Sequence, residues 1–386
     1  MKPAMRIALV HDYWVTLRGG ERVFLALTQM FPQADCYALI APKHGLPAEM
    51  TGLPIRSSFL GRLPGSLRHY RAYLPLYPLA ARSLNLAGYD LIISSSSGFT
   101  HQIATKGVHI CYCHAPLRYA WNEFDATIAR QRSPVVRSML SRVLRGVQRA
   151  DRVAAQRVTA YIANSTAVQQ RIAAYYQRDS DIVFPIVDTA RFAPQSTAGE
   201  YLLVMSHLHP YKRVDLAVQA CTQLNLPLLV VGVGPERARL EQLAGPTVRF
   251  AGRLDDAALP EIYARCQALV QCGEEDFGIA ALEAQASGRP VIAFGQGGAR
   301  ETVVDGVTGV HFFEQSVDAT IQAIRRFQQI AWQPVAARMH AEQFDAAHFC
   351  RGIQRVVDRE WQQHTSAIST LAPVHASTLK VFDDGR

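Results

Sequence analysis

The stretch GEEDFGIAALEAQASGRPVIAFGQGG (273–298) follows the aliphatic run QALVQ (267–271) and contains a second such run, PVIAF (290–294). Between the two runs lie a loop with three consecutive acids, Glu274, Glu275 and Asp276, and a helical segment opened by Gly278, with apolar positions at Ile279, Leu282 and Ala286. Strand, loop, helix, strand is the repeating unit of a parallel, doubly wound sheet. The acids fall at the carboxyl end of a strand, where such sheets bind ligands. Three like charges so close are costly unless cations or hydroxyl groups lie among them.

The same grammar extends in both directions. RIALV (6–10), CYALI (36–40), DLIIS (90–94), VHICYC (108–113), AYIA (160–163) and DIVFPIV (181–187) read as strands. A helix is expected from about 21 to 31, stopped by Pro32, and another runs to about 176 from an Asn164-Ser165 cap. The polar stretch DTARFAPQSTAGE (188–200) reads as a linker. The pattern then restarts with YLLVMS (201–206), PLLVVG (227–232) and VRFAG (248–252), followed by the two runs around the acidic loop. The expectation is an α/β protein with two Rossmann-like doubly wound domains facing across a cleft, over residues 1–195 and 196–345. A C-terminal helix over 346–365 should pack back toward the first domain, with a mobile tail at 366–386.

A chain of 386 residues is long for one core, and 49% hydrophobic residues suffice for two. The net charge of +8 is uneven: residues 1–195 hold 23 Lys and Arg against 11 Asp and Glu, and residues 196–386 hold 17 against 21. A basic first half suggests a polyanion, an anionic membrane or an acidic substrate. Seven cysteines without a paired framework fit a reducing compartment. Cys111 and Cys113 share one strand face, but no second pair completes a zinc site. No apolar run reaches the length of a membrane span and the first residues do not read as a signal peptide, so a cytoplasmic location is expected.

The chemistry gathers around the opening stretch. The first N–H groups of a helix lack internal partners, and Gly278 leaves them open to a phosphate. Glu275 then reaches what hangs beyond the phosphate, and Glu283, farther along the helix, suits a ribose diol. A nucleotide-sugar meets both demands. The plainer account, that acids favour a helix N-terminus by about 0.3–1 kcal/mol each, explains neither the glycine nor the second glutamate. In SHLHPYKRVDLAVQA (206–220), Lys212 and Arg213 stand at the start of a helix, the wrong end of its dipole for cations. A diphosphate accounts for them; a solvated basic turn is the plain alternative.

Glu275-x7-Glu283 around Phe277-Gly278, Gly297-Gly298-x-x-Glu301-Thr302 and Tyr211-Lys212-Arg213 resemble the retaining family-4 glycosyltransferases of the GT-B fold. HDYWVTLRGGERV (11–23), YCHAPLRYAWNEF (112–124) and AGYDLIISSSSGF (87–99) are similar to bacterial mannosyltransferases that build O-antigen and exopolysaccharide units. The likeness runs from Ile7 to about Trp361. It implies an acceptor-binding first domain and a nucleotide-sugar-binding second domain. Glu275, His114 and Lys212 would be the catalytic group, with Glu275 on the sugar hydroxyls, His114 near the donor sugar and Lys212 on the leaving diphosphate. Phe277, Gly278 and Ile279 would hold sugar and phosphate through the backbone, Glu283 the ribose, and Arg253-Leu254 the base. Gly19-Gly20 would form a loop closing on the phosphates. The family's arginine partner of the lysine is replaced by His207, a weaker phosphate ligand that Arg213 would assist. Retention implies same-face reaction, with the leaving phosphate deprotonating the acceptor.

The remaining motifs are weaker. A histidine at a strand end, such as His114, is as often structural as functional; His11 and Asp12, at the end of the first strand, invite the same comparison. GVGPE (232–236) lacks the rest of a dinucleotide fingerprint, and DSD (179–181) precedes its strand and reads as a surface turn. No metal and no cofactor beyond the donor is expected. The stretch 59–80 interleaves Arg62, Arg68 and Arg71 with aromatics. The stretch 130–152 sets Val136, Leu140, Val143 and Val147 at helical spacing among seven arginines. A core stripe with a solvated face is the common case for one helix, and an anionic membrane surface explains two such stretches better. The expected partners are GDP-mannose or another nucleotide-sugar, a lipid-linked glycan acceptor for surface polysaccharide such as lipopolysaccharide, and the cytoplasmic face of the inner membrane; no nucleic acid is expected. A UDP-sugar-dependent transferase, a nucleotide-sugar epimerase and an inactive sugar-nucleotide binder are the alternatives.

Overall fold

The computed structural model describes residues 5–15, 17, 19–41, 50–194 and 199–371; the side chains of residues 67, 71, 72 and 368–371 lie outside that description. The boundary expected at 195–196, the Arg71 side chain and the sequence beyond 371 therefore fall outside the described residues.

Two parallel sheets form. The first uses β1 (Ile7–Tyr13), β2 (Asp35–Ile40), β3 (Ile55–Ser57), β4 (Leu91–Ser96), β5 (Val108–Cys113), β6 (Ala160–Ala163) and β7 (Ser180–Ile182), in the order β3-β2-β1-β4-β5-β6-β7. The second uses β8 (Tyr201–Met205), β9 (Leu228–Val231), β10 (Val248–Gly252), β11 (Cys266–Gln271), β12 (Val291–Phe294) and β13 (Gly309–Phe312), in the order β10-β9-β8-β11-β12-β13. Strand order reverses between β1 and β4 in one sheet and between β8 and β11 in the other. At such points neighbouring crossovers leave on opposite faces and open a crevice at the strands' carboxyl ends. Residues following β5, β8 and β11 thereby meet in one cleft.

The strands are near-continuous apolar runs because helices cover both faces of each sheet. Leu9, Ile93, Ile110 and Ile162 pack beneath helix Gly19–Met30 in the first domain; Val204, Val230 and Val270 pack against Ala217 and Ile324 in the second. Helix Ala346–Leu371 returns to the first domain, inserting Phe349, Ile353, Val356 and Val357 into its core. Arg359 pairs with Asp181 at 2.6 Å beside it. Ser180 and Asp181 pair with β6 within β7, a correction to the surface turn expected for DSD. All seven cysteines are free thiols.

Several boundaries differ from the sequence expectation. β1 runs through His11 and Asp12 because both side chains are buried and hydrogen-bonded, which lets polar residues continue a buried strand. β7 ends at Ile182, short of Pro185, whose ring nitrogen cannot donate to the ladder. The short edge strands β3 and β13 carry too few residues to produce a periodic signal. The C-terminal helix continues past 365 to Leu371.

Candidate active site

Between the domains lies a cleft of about 740 Å³. Every residue expected at the donor site lines it except Arg213. The guanidinium of Arg213 is turned to Asp215, at 3.3 Å, and to Gln315, at 3.5 Å, and its backbone adopts a left-handed conformation that ends the preceding turn. Its expected role beside the diphosphate is therefore not supported by its placement. His207 does line the cleft, with its ring 6.5 Å from that of His209.

The three acids after β11 are each matched by a cation. Glu274 accepts from Arg171 at 2.6 Å, Asp276 accepts from both Arg118 and Arg171, and Glu275 accepts from the Lys212 ammonium. Arg118 and Arg171 belong to the first domain, so Glu274 and Asp276 fasten the domains together. Only Glu275 is paired within its own domain. The crowding is thus accounted for largely by cations of the opposite domain, which no local spacing could reveal. Burial works against the Asp276 charge, but the two guanidinium groups outweigh it and hold the carboxyl below its usual range. Burial likewise opposes the Lys212 charge, and the Glu275 carboxylate more than offsets it, leaving the ammonium pKa above its ordinary value. Arg118 also lies 4.9 Å over the Tyr211 ring, which steadies it against the lysine turn.

Gly278 caps helix Ile279–Ala286 with φ at +101°, a conformation that favours glycine. The loop is braced by Gly297-Gly298: Gly298 N–H donates to the Glu275 carbonyl at 2.9 Å, and a Cβ on Gly298 would lie 2.2 Å from the Phe277 carbonyl. This close approach explains the paired glycines. Glu301, next in that motif, accepts from Thr166 N–H at 2.6 Å and so caps a helix of the first domain from the second.

At the far end of the cleft the Tyr263 hydroxyl donates to Glu283 at 2.7 Å, and burial raises the glutamate's pKa. Asp256 nearby accepts from Arg22 of the first domain at 2.5 Å and from Arg191 at 2.8 Å. Arg253 and Leu254 line the same end.

On the first-domain wall, Gly19 and Gly20 are the opening residues of helix Gly19–Met30, a correction to the loop expected there. A Cβ on Gly19 would come within 2.6 Å of Ile279 Cδ1, so the missing side chain lets the domains approach. His114 follows β5 and bonds through Nε2 to Ser95 Oγ at 2.8 Å. Burial, with His11 nearby, lowers its pKa to about 3, so the ring is neutral near neutral pH.

Arg118, Arg171, Ser95 and Arg22 belong to this site and were not singled out by sequence reasoning, and Asp276 was noted there only as one of three crowded acids. Arg118 lies inside a motif already quoted, YCHAPLRYAWNEF, whereas Arg171 sits on an ordinary amphipathic helix with no local signal. Among the described residues no three His, Cys, Asp or Glu side chains gather where they could hold a metal ion.

Two facing doubly wound domains with a ligand cleft between them define the GT-B fold. Anabaena HepE, solved with UDP and glucose, superposes with a TM-score of 0.63 over 95% of this chain and 100% of its own, at 19% identity. Sucrose-phosphate synthase from Thermosynechococcus elongatus superposes with a TM-score of 0.65 over 95% and 99%, also at 19% identity. Residues 188–341, which span most of the second domain, match the family described as Glycosyl transferases group 1. Among curated proteins, D-inositol 3-phosphate glycosyltransferase of Frankia alni is 36% identical over 162 residues, 34% of this chain and 40% of the relative. GDP-mannose-dependent alpha-mannosyltransferase of Mycolicibacterium smegmatis is 36% identical over 143 residues, 35% and 38% of the two chains. The chain covers about two fifths of the length of these curated relatives.

Proposed function

We propose that this protein is a retaining glycosyltransferase that moves a hexose, mannose from GDP-mannose, to a lipid-linked glycan during surface polysaccharide synthesis. The observation that carries this reading is the Lys212–Glu275 pair at the centre of the cleft, beside the open N-terminus of helix Ile279–Ala286 and with Glu283 at the distal end. The diphosphate of a bound donor takes over Lys212 and the helix N–H groups, which stabilise the charge that develops as the glycosidic bond breaks. Glu275, released from Lys212, accepts from hydroxyls of the sugar. Glu283 accepts from the ribose. The leaving phosphate takes the acceptor proton on the same face of the sugar. GDP-mannose is favoured because the curated mannosyltransferase relatives are described with that donor.

The membrane component of the proposal is supported by helix Pro134–Ala155. Of the stripe expected there, Val147 packs against the first-domain core and Leu140 is half-buried, whereas Val143 is 56% exposed. The outward apolar row is offset from that stripe and consists of Val135, Met139 and Val143, with Val135 and Met139 77% and 65% exposed among arginines. Asp151, accepting from Gln102 and Trp121, anchors the helix's other end to the domain. An exposed apolar row among arginines suits an anionic lipid surface. Among the described residues no helix is long and apolar enough to cross a membrane.

The test is thermal stabilisation by GDP, GDP-mannose, UDP and UDP-glucose, followed by transfer to a polyprenyl-diphosphate-linked sugar. Ligands that bind only the folded state raise the melting temperature with affinity. Stabilisation by GDP-mannose and mannose transfer are expected. Stabilisation by UDP-sugars alone would replace the donor and keep the reaction class, whereas no stabilisation by any of the four would remove the reading.

A further inference from the structure

The polar side chains behind His114 form a chain whose proton positions follow from geometry. His11 Nδ1 lies 3.1 Å from the Ser95 carbonyl oxygen and 3.1 Å from Ser95 Oγ. A carbonyl oxygen only accepts, so His11 Nδ1 carries a hydrogen and points it at Ser95. The Ser95 hydroxyl, placed as acceptor on that side, has its own hydrogen left for the second contact, to His114 Nε2 at 2.8 Å. His114 Nε2 is then the acceptor, and the hydrogen of the neutral ring resides on Nδ1. The ring lines the cleft, and Nδ1 has no protein partner among the described residues.

The arrangement is held from both sides. Ser95 is fully buried in β4, paired with His11 of β1 and Tyr112 of β5, and its carbonyl also accepts from Thr100 Oγ1 at 3.2 Å. The His11 ring stacks on Phe24 at 5.1 Å, and its Nε2 lies 4.0 Å from the Glu21 carboxylate. His114 is fixed at its backbone, where its N–H donates to Ser96 and its carbonyl accepts from Asn164.

We propose that Ser95 is a positioning residue that holds His114 in its Nδ1–H form, so that the ring donates a hydrogen bond from the cleft wall to a bound sugar-nucleotide. This rests on the reading of the cleft given above, and it adds a residue that touches no substrate. The hydroxyl of Ser95 sets which ring nitrogen is the donor, and the His11 contact sets which way that hydroxyl points. Without Ser95 both tautomers become accessible, and part of the population presents a lone pair to the ligand in place of an N–H.

Long-range ¹H–¹⁵N spectra of histidine-labelled protein read the tautomer directly, with the His114 signals identified by their loss in His114→Gln. The wild-type protein should show His114 protonated on Nδ1; protonation on Nε2 overturns the proposal without any variant being needed for function. In Ser95→Ala the signals should shift toward a tautomer mixture and kcat/KM for the sugar-nucleotide should fall about tenfold, the worth of one neutral hydrogen bond. Ser95→Thr, which keeps the hydroxyl, should restore the wild-type tautomer and most of the rate. A reduced rate in Ser95→Ala with an unchanged His114 tautomer would mark a merely structural role and overturn it. Loss of transfer in His114→Ala beside a wild-type rate in Ser95→Ala would sink this proposal alone. Unchanged transfer in His114→Ala would remove the reading of the cleft, and this proposal with it.

Discussion

The Lys212 ammonium rests on the Glu275 carboxylate, one from the turn after β8 and the other from the loop after β11, where strand order reverses in the second sheet. Each group neutralises the other in a site whose ligand would need both. In the proposed reaction a diphosphate would compete with Glu275 for the lysine, and sugar hydroxyls would compete with the lysine for Glu275.

Separating the pair should therefore separate two functions. Glu275→Gln should lower transfer by about 10²–10³-fold, the usual loss when one group stabilising the transition state is removed, while leaving nucleoside diphosphate affinity within a few-fold. Lys212→Ala should weaken nucleoside diphosphate binding itself, measured by calorimetry. Equal effects of both variants on binding would contradict the division of roles.

The contacts of Asp276 with Arg118 and Arg171 form a clasp between the domains. Asp276→Asn leaves two guanidinium groups short of a charge in a site only 17% exposed, and a loss of about 3 kcal/mol of stability is expected. Small-angle scattering should show a larger radius of gyration in that variant. Because the folded-state pKa of Asp276 lies below its unfolded value, its stabilising effect is present above the unfolded pKa and disappears as pH falls through the folded one. The clasp should accordingly hold from neutral pH down to about pH 4, the ordinary carboxyl range. Scattering profiles that open between pH 7 and 5 would count against it.

Glu283 behaves in the opposite sense. Burial raises its pKa, so its protonated form favours the fold, and that contribution is lost as pH rises through the raised value. Glu283→Gln keeps an acceptor for the Tyr263 hydroxyl and should leave the melting temperature at neutral pH unchanged or higher. Affinity for a nucleoside diphosphate should drop about tenfold or more, since a carboxylate accepts more strongly from ribose hydroxyls than an amide does. Undiminished affinity would place the ribose elsewhere.

For the helix Pro134–Ala155, co-sedimentation with vesicles containing anionic phospholipid provides the check. Val135→Ser, Met139→Ser and Val143→Ser combined should reduce binding at least tenfold, about the worth of burying a single apolar side chain, and should not alter transfer to a short water-soluble acceptor. Raising salt should weaken wild-type binding as the arginines are screened. Vesicle binding that survives both changes would assign the membrane contact to another surface.

His207→Arg tests the departure at the lysine's expected partner. A fixed guanidinium beside the diphosphate should tighten nucleotide binding by a few-fold, and no gain would indicate that His207 does not face the phosphates.

The sheets were legible because buried parallel strands are continuous apolar runs, and the acidic loop was legible because glycine and acids at a strand's end have few purely structural uses. Glu275, Glu283, Lys212 and Gly278, which the fold brings to one cleft, could be singled out as candidates in this way, each close in sequence to the element that positions it. Arg213 was misplaced because its turn places it in a left-handed conformation directed at Asp215, which adjacency to Lys212 does not encode. Arg118 and Arg171 were missed for a related reason: their partners are 158 and 105 residues away.

The amino-acid sequence by itself determined the alternation of strands and helices, the two doubly wound halves and the local glycine- and acid-bearing motifs at the strand ends, since these depend on periodicity, capping and glycine over short spans. Tertiary structure alone decided which cation answers each acid, which wall faces Glu275 and how Ser95 orients His114. Those outcomes depend on the packing of one domain against the other and on strand order within a sheet, where charges distant along the chain come within hydrogen-bonding range.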